Sequence, residues 1–443
     1  MNRPGHIAVI GAGVLGTALA HRLTRHTARP GAGTGPAAAP AVTLLDRAEP
    51  GHGTSRWSLA WLNSNGVPDR GYHELRTASL RAWARLAEEA GGAEWYRPVG
   101  NMRWADPAPA DPDDPAEGGR LAERVQRLRQ WGYAAELVAP ERISALEPAL
   151  RLPADVSQVA WFPDEGYVLT ERLIATLLDR LRDAGTGIRT GPAGHVVGLE
   201  REAPGDGTTE GEGAGSGRRG GGWLLRTADG GTLRADAVVC CAGRWTPEVT
   251  ALAGAPVPIV DPTTAGSPAP GLVARVGPVA TPLTRVVHTP RVHLRPHDED
   301  GGATVHLEAG DVRVDLHTPA EEADRWADTL LARARALVPG LAGARVLERR
   351  VCVRPLPLDG HPVIGPVPVP DAAARAPGAA AGDGNGAGTG DRRTGSAGGL
   401  YVMVTHSGVT LAAGLAELVA AELRTGRPEP ALEPYRPARL FQD

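Results

Sequence analysis

A glycine-rich turn near the start of the chain constrains its fold more than any other feature. The segment GAGVLG at residues 11–16 directly follows the apolar run HIAVI at residues 6–10. In a turn between a strand and a helix, the first glycine permits the tight bend, the second lets backbone N–H groups approach a pyrophosphate, and the third lets helix and strand pack closely. We therefore expect a strand over 6–10, a helix over 14–26 and a dinucleotide at the turn. Asp46, at the end of the next predicted strand, is placed to bind ribose hydroxyls.

Composition excludes several classes of protein. The 443-residue chain has a formal net charge of -4, which gives no basic footprint for nucleic acid. No run of eighteen apolar residues predicts a membrane span, and the N-terminus does not show the pattern of a secretory signal. Three cysteines do not form a disulfide framework, and no C-x-x-C or H-E-x-x-H spacing predicts a metal site. These features favour a cytoplasmic protein without a metal.

The pattern along the chain is mixed α/β. Helical periodicity marks 70–90, 118–131, 171–184 and 320–337, residues 236–243 form an apolar run typical of a buried parallel strand, and 292–296 and 303–310 are predicted antiparallel strands. This indicates a Rossmann-like nucleotide-binding domain interleaved with a domain on an antiparallel sheet. We assign 1–66, 155–250 and 345–430 to the first domain, 67–154 and 251–344 to the second, and 28–41, 203–222 and 370–398 to flexible loop insertions.

Further motifs follow the glycine turn in a definite order. They are GTS at 53–55, VVCCAG at 238–243, RPLPLDGHPVIG at 354–365 and GLYVMVTHSG at 399–408. Taken in order, they span most of the chain, which resembles the FAD-dependent D-amino acid oxidase superfamily and within it glycine oxidase, sarcosine oxidase and D-amino acid dehydrogenase. The resemblance implies FAD as cofactor and oxidation of the C–N bond of an amino acid or N-substituted amino acid.

By this resemblance, cofactor-binding residues are expected in the glycine turn, in these motifs, and at or after the strands over 42–46 and 193–200 and the VTHSG turn. They are Gly11, Gly13, Val14, Leu15, Gly16, Asp46, Arg47, Thr54, Ser55, Val196, Ala242, Gly243, Gly365, His406, Ser407, Gly408, Val409 and Thr410. A helix beginning after VTHSG would point its positive N-terminal end at the flavin. Trp57, Trp61, Asn63 and Asn65 follow the GTS segment closely enough to reach the flavin or the substrate.

Two residues are expected to be catalytic, Arg354 and His406. The resemblance aligns Arg354 with the arginine that holds the substrate carboxylate, and a guanidinium suits this role because its planar fork pairs with both carboxylate oxygens. The alternative is a structural ion pair, for example with Asp359.

Cys352 raises the question of a covalent flavin. In the sarcosine oxidase branch, the resemblance places a flavin-linking cysteine seven residues before a turn Asp, and Cys352 has this separation from Asp359. A buried cysteine on an apolar strand is more often a small hydrophobic residue, so non-covalent FAD is favoured.

The chain contains no lysine, although in sarcosine oxidase-like members a lysine assists the reaction with oxygen. The positive charge would have to come from an arginine or a protonated histidine, and the candidates are Arg56, Arg291, His288, His293, His306 and His406. The electron acceptor is therefore left open between O2 and a quinone or protein.

Three other functions also fit the sequence. A dehydrogenase of a 2-hydroxy acid would use the same arginine, a non-catalytic FAD-binding subunit would hold the flavin without reducing it, and an NAD-dependent enzyme would share the glycine turn.

Overall fold

The computed structural model describes residues 4–25, 39–105, 121–202, 221–297, 303–370 and 399–441. The three predicted loop insertions lie outside these residues except at their ends. Within the described ranges the chain forms 20 strands and eight α-helices, numbered β1–β20 and α1–α8 in chain order. None of the described helices is long and apolar enough to cross a membrane.

The predicted first strand lies in a six-stranded sheet. The strands are β1 (His6–Ile10), β2 (Ala41–Asp46), β9 (Gly187–Thr190), β13 (Ala237–Cys240), β19 (Val363–Pro366) and β20 (Leu400–Val404). Their order is β19-β20-β13-β1-β2-β9, and only β19 runs antiparallel to its neighbour. All four residues of β13 are buried, as expected for a parallel strand covered on both faces.

Helices cover one face of this sheet and a second sheet covers the other. Helices α1 (Val14–Thr24), α2 (Arg70–Ala90), α5 (Thr170–Asp183) and α8 (Gly408–Thr425) pack in the core that contains Ile7 and Val9. The alternate residues Ala8 and Ile10 face a three-stranded sheet of β10 (Val196–Arg201), β11 (Trp223–Thr227) and β12 (Thr232–Ala235). Because successive side chains of β1 point to opposite faces of the sheet, this strand contributes to two separate hydrophobic cores.

An eight-stranded sheet forms the second large layer. Its strands are β5 (Asn101–Arg103), β6 (Glu136–Val138), β7 (Val159–Phe162), β14 (Pro270–Gly277), β15 (Val286–His288), β16 (His293–His297), β17 (Thr304–Glu308) and β18 (Arg345–Val353), in the order β18-β14-β17-β16-β15-β5-β7-β6. All neighbours are antiparallel except β15 and β5. Val305 and Leu307 belong to the core packed against α7 (Ala320–Leu337), so the alternate residues His306 and Glu308 are on the opposite face.

The sheets do not follow the predicted segments throughout. β7 and β18 lie in the eight-stranded sheet, although the sequence placed their residues with the nucleotide-binding domain. Conversely, α2 packs against α8 beside the six-stranded sheet, where Trp83 donates hydrogen bonds to the carbonyl oxygens of Val409 and Thr410. The division into cofactor and substrate domains stays a prediction. If it holds, β7 and β18 belong to the substrate domain and α2 belongs to the cofactor domain.

Glu165 links Ser64 and Asn65 to β5 of the eight-stranded sheet and to Tyr133. Strands β3 (Trp61–Leu62), β4 (Tyr96–Arg97) and β8 (Gly166–Val168) form a small sheet, and α3 (Leu121–Gln130), α4 (Pro140–Leu146) and α6 (Thr246–Ala251) complete the described helices. The buried Glu165 carboxylate accepts hydrogen bonds from the Ser64 and Asn65 amides, the Asn65 and Asn101 side chains, and the Tyr133 hydroxyl, at 2.6–3.1 Å. It thereby fixes the segment that follows β3.

We expect Glu165→Ala to lower the free energy of unfolding by at least about 2 kcal/mol, because it leaves several buried donors without an acceptor. Urea denaturation measures this difference. Glu200→Ala, which removes an exposed partner of Arg226, is the control and should leave the unfolding midpoint unchanged. Equal midpoints for the two variants would contradict the role given to Glu165.

Candidate functional site

The glycine turn has the geometry that its sequence predicts. Gly11 follows β1 with φ +107°, and α1 begins at Val14 with Gly13 as its N-cap. A Cβ on Gly16 would lie 1.8 Å from the Gly11 carbonyl oxygen. Gly16 therefore allows the close packing of helix on strand, and it is not among the residues that line the two cavities described below.

Asp46 and Arg47 follow the neighbouring strand. The Asp46 carboxylate accepts hydrogen bonds from the amides of Ala12 at 2.7 Å and Ala48 at 2.9 Å. Burial raises the pKa of Asp46, while these two amides oppose the rise. The Arg47 guanidinium lies 4.1 Å from the centre of the Trp245 ring.

The GTS segment connects the glycine turn to the eight-stranded sheet. Ser55 Oγ accepts a hydrogen bond from the Val14 amide at 3.0 Å. Thr54 Oγ1 donates to the Val353 carbonyl oxygen, at the end of β18, at 2.6 Å. Two adjacent side chains thus hold the start of α1 and the end of β18 close together.

A first cavity of about 350 Å³ lies beside the glycine turn. Of the predicted cofactor residues, those lining it are Gly11, Gly13, Val14, Leu15, Asp46, Arg47, Thr54, Ser55, Val196, Ala242, Gly243, His406, Gly408 and Val409. Both α1 and α8 begin at this cavity, and neither has a side-chain cap from its own N-cap residue. Glycines that leave room for a ligand, a carboxylate and two helix N-termini fit a dinucleotide such as FAD.

The structure does not place Gly365 at this cavity, in contrast to the sequence interpretation. Gly365 lies in β19, and a Cβ there would come within 3.1 Å of the side chains of Arg436 and Pro437. This glycine therefore makes room for the C-terminal segment.

A second cavity of about 310 Å³ adjoins the first. Thr54, Ser58, His406 and Val409 line both cavities. The predicted residues Ser407 and Thr410 line the second cavity only, as do Trp57, Trp61 and Asn63. Asn65 lines neither and binds Glu165 instead.

Arg354 lies in the second cavity, just past the end of β18. Its Nε and Nη2 donate hydrogen bonds to the carbonyl oxygens of residues 268–270, the shortest being 2.6 Å to Pro268. Nη1 lies 4.0 Å from Glu308 Oε1. Asp359, the acid suggested as its structural partner, binds Arg439 at 2.7 Å instead. The guanidinium is thus held on one side by main-chain oxygens.

Burial makes three of the four candidate histidines poor sources of positive charge. Desolvation lowers the pKa of His293 to about 3, and places those of His288 and His306 well below their ordinary value. These three imidazoles are therefore neutral at pH 7. His406 is exposed, so burial does not fix its protonation state.

Arg56 and Arg291 are the other candidates for a positive charge near the flavin, but they do not lie at the two cavities. Arg56 pairs with Glu171 at 2.7 Å.

Cys352 lines the second cavity but is almost completely buried. Burial raises the pKa of its thiol to about 11, so the reactive thiolate is scarce at neutral pH. The position of Cys352 in the second cavity is compatible with the flavin-linking cysteine of the sarcosine oxidase branch. Its protonated thiol, however, favours a structural role.

Arg76 is a functional candidate that the sequence interpretation missed. It is 6% exposed and lines the second cavity. Its guanidinium donates to the main-chain and side-chain oxygens of Asn63, at 2.9 and 2.8 Å, and to Ser407 Oγ at the start of α8. The sequence could have indicated this role, because Arg76 is a charged residue on the apolar face of α2, between Tyr72 and Leu80.

Glu308 is the second such candidate. It lines the same cavity, and its side chain is 27% accessible. The strand alternation that buries Val305 and Leu307 places it on the cavity face, and this alternation was visible in the sequence.

Comparison with solved structures shows a shared fold. L-proline dehydrogenase from P. horikoshii superposes with a TM-score of 0.67 at 17% identity, covering 100% of this chain and 99% of the other. Glycine oxidase from Geobacillus kaustophilus superposes with a TM-score of 0.64 at 19% identity, covering 98% of both chains.

Curated relatives are similar over part of their length. The tRNA 5-methylaminomethyl-2-thiouridine biosynthesis bifunctional protein MnmC of Chromohalobacter salexigens is 27% identical over 396 residues, which are 83% of this chain and 46% of that protein. Human mitochondrial dimethylglycine dehydrogenase is 26% identical over 254 residues, which are 57% of this chain and 25% of that protein. The chain thus spans less than half the length of these relatives.

A family model described as FAD dependent oxidoreductase matches residues 6–422, which is nearly the whole chain. The match includes the glycine turn, both cavities and the start of α8. The chain therefore belongs to the FAD dependent oxidoreductase family.

Proposed function

We propose that this protein oxidises the C–N bond of an amino acid or N-substituted amino acid, with FAD in the first cavity and the substrate in the second. The observation that carries the proposal is the wall shared by the two cavities, formed by Thr54, Ser58, His406 and Val409, with Arg354 on the substrate side. A carboxylated substrate held by this arginine lies beside the cofactor site.

The first cavity supports FAD binding through main-chain groups and one carboxylate. The N-terminus of α1 favours the negative charge of a pyrophosphate, and Ser55 holds the first turn of this helix in place. Asp46 keeps acceptor positions for ribose hydroxyls beyond the two amides it already binds. FAD, when bound, supplies the redox chemistry by accepting hydride from the substrate α-carbon.

The second cavity supports recognition of a carboxylate. Main-chain oxygens fix Nε and Nη2 of Arg354, so little side-chain freedom is lost when a substrate binds. Arg76 adds a second permanent charge to the same cavity. The similar structures are those of an L-proline dehydrogenase and a glycine oxidase, and this favours an amino acid over a 2-hydroxy acid.

The electron acceptor for bound FAD would be O2 or a quinone or protein. Arg76 and Arg354 supply permanent positive charge in the second cavity, where a cation would assist the reaction with oxygen. Measuring peroxide release beside the reduction of an artificial quinone separates these acceptors.

We expect the purified protein to be yellow and to release its colour into the supernatant after acid precipitation. The reason is that the protonated, buried Cys352 thiol does not favour a covalent link. Absorbance spectra of the supernatant and the redissolved pellet measure the distribution. A yellow pellet from the parent protein but not from Cys352→Ala would show a covalent flavin, and a colourless protein would contradict FAD binding.

We expect Arg354→Ala to lower kcat/KM for the best amino acid by roughly 30- to 1,000-fold, since a buried charge-assisted contact contributes about 2–4 kcal/mol. Steady-state assays over a panel of glycine, sarcosine, proline and alanine measure this loss. The corresponding amines without a carboxylate should lose little activity.

Arg349→Ala is the matched control, because Arg349 is on β18 but pairs with Asp324 outside the cavity. Unchanged kcat/KM in Arg354→Ala would contradict the anchor. Anaerobic bleaching of the flavin by 2-hydroxy acids alone would indicate the rival dehydrogenase, and no bleaching by any of these compounds would favour a non-catalytic FAD-binding subunit.

A further inference from the structure

Glu308 is a carboxylate in the second cavity for which the fold provides no hydrogen-bond donor. Among the described residues its polar contact is the ion pair with Arg354, and the 4.0 Å separation of Nη1 and Oε1 is too long for a hydrogen bond. Glu165, by comparison, accepts five hydrogen bonds. The side chain is 27% accessible from the cavity, so a ligand there can donate hydrogen bonds to the carboxylate that the described residues do not supply.

The arrangement of charges matches the two ends of an amino acid. Arg354 and Glu308 line one cavity with opposite charges a few ångströms apart. An α-amino acid carries its carboxylate and ammonium groups on the same carbon, so a site that binds both needs such a close pair of opposite charges.

We infer that Glu308 binds the substrate ammonium group and accepts its proton, so that the amine is neutral when it is oxidised. In this step an N–H bond of the ammonium breaks, an O–H bond forms on the Glu308 carboxylate, and the nitrogen keeps the electron pair. The inference rests on the proposed function and deepens it, because it specifies a substrate with a basic amino group.

The surroundings of Glu308 suit proton transfer. Burial raises its pKa, and Arg354 opposes this rise. Its neighbour across the sheet is His293 on β16, while Cys352 lies on β18 and His406 and Arg76 line the same cavity. The positive charge that keeps the carboxylate ionised is the guanidinium of Arg354, 4.0 Å away.

Replacing Glu308 by the isosteric glutamine tests the proton transfer. An aliphatic ammonium titrates near pH 10, so at pH 7 only about one molecule in a thousand is already neutral. We expect Glu308→Gln to lower kcat/KM at least about 100-fold at pH 7, with the loss shrinking about tenfold per pH unit toward pH 10. In the parent protein kcat/KM should fall only on the acid side, as Glu308 becomes protonated.

Equilibrium binding provides a readout that does not depend on turnover. Glycine betaine carries a carboxylate and a permanent positive charge but no transferable proton, whereas propionate carries the carboxylate alone. We expect Glu308→Gln to weaken betaine binding about tenfold while propionate binds at least as tightly as before. If Glu308 only positions Arg354, both ligands should weaken equally.

Glu348→Gln is the matched control, since Glu348 is on β18 and pairs with Arg275 at 3.0 Å outside the cavity. A pH profile of Glu308→Gln parallel to that of the parent would overturn the inference while leaving the proposed amino acid oxidation intact. Failure of every amino acid to reduce the flavin of the parent protein would instead overturn the proposed function.

Discussion

The rest of the structure depends on a backbone contact that only glycine allows. A Cβ on Gly16 would lie 1.8 Å from the Gly11 carbonyl oxygen, and a Cβ on Gly11 would lie 2.4 Å from the Cys241 carbonyl oxygen. The end of β1, the start of α1 and the end of β13 therefore meet without intervening side chains. Because α1 begins so close to the sheet, its N-terminus is exposed to the first cavity and not to solvent at the sheet edge.

The short GTS segment connects the glycine turn to the second cavity. Ser55 binds the first turn of α1, and Thr54 binds the end of β18, the strand that leads directly to Arg354. Hence the glycine turn and Arg354 are held close together through two adjacent residues. The shared wall of the cavities follows from this connection, since Thr54 lines both.

The sequence predicted the features that depend on local patterns. Periodicity identified α2, α5 and α7 to within about one residue, because each buries one face against a sheet. It did not predict that β18 pairs with β14, or that Gly365 meets Arg436, because these contacts join segments about seventy residues apart. Arg76 and Glu308 were missed for a related reason. The sequence pattern indicated which face of the helix or strand each residue is on, but it did not show that these two faces enclose one cavity.

Burial explains why the charges of the candidate site are arginine and glutamate. Withdrawal from water lowers the pKa of a histidine, as it does for His288 and His306, whereas a guanidinium keeps its charge at any working pH. A carboxylate in the same cavity responds in the opposite direction, since desolvation raises its pKa and a nearby guanidinium lowers it again. The pair of Arg354 and Glu308 therefore combines a group that stays charged with one that can change its charge. This is the combination required to hold a zwitterion by its carboxylate while its ammonium group loses a proton.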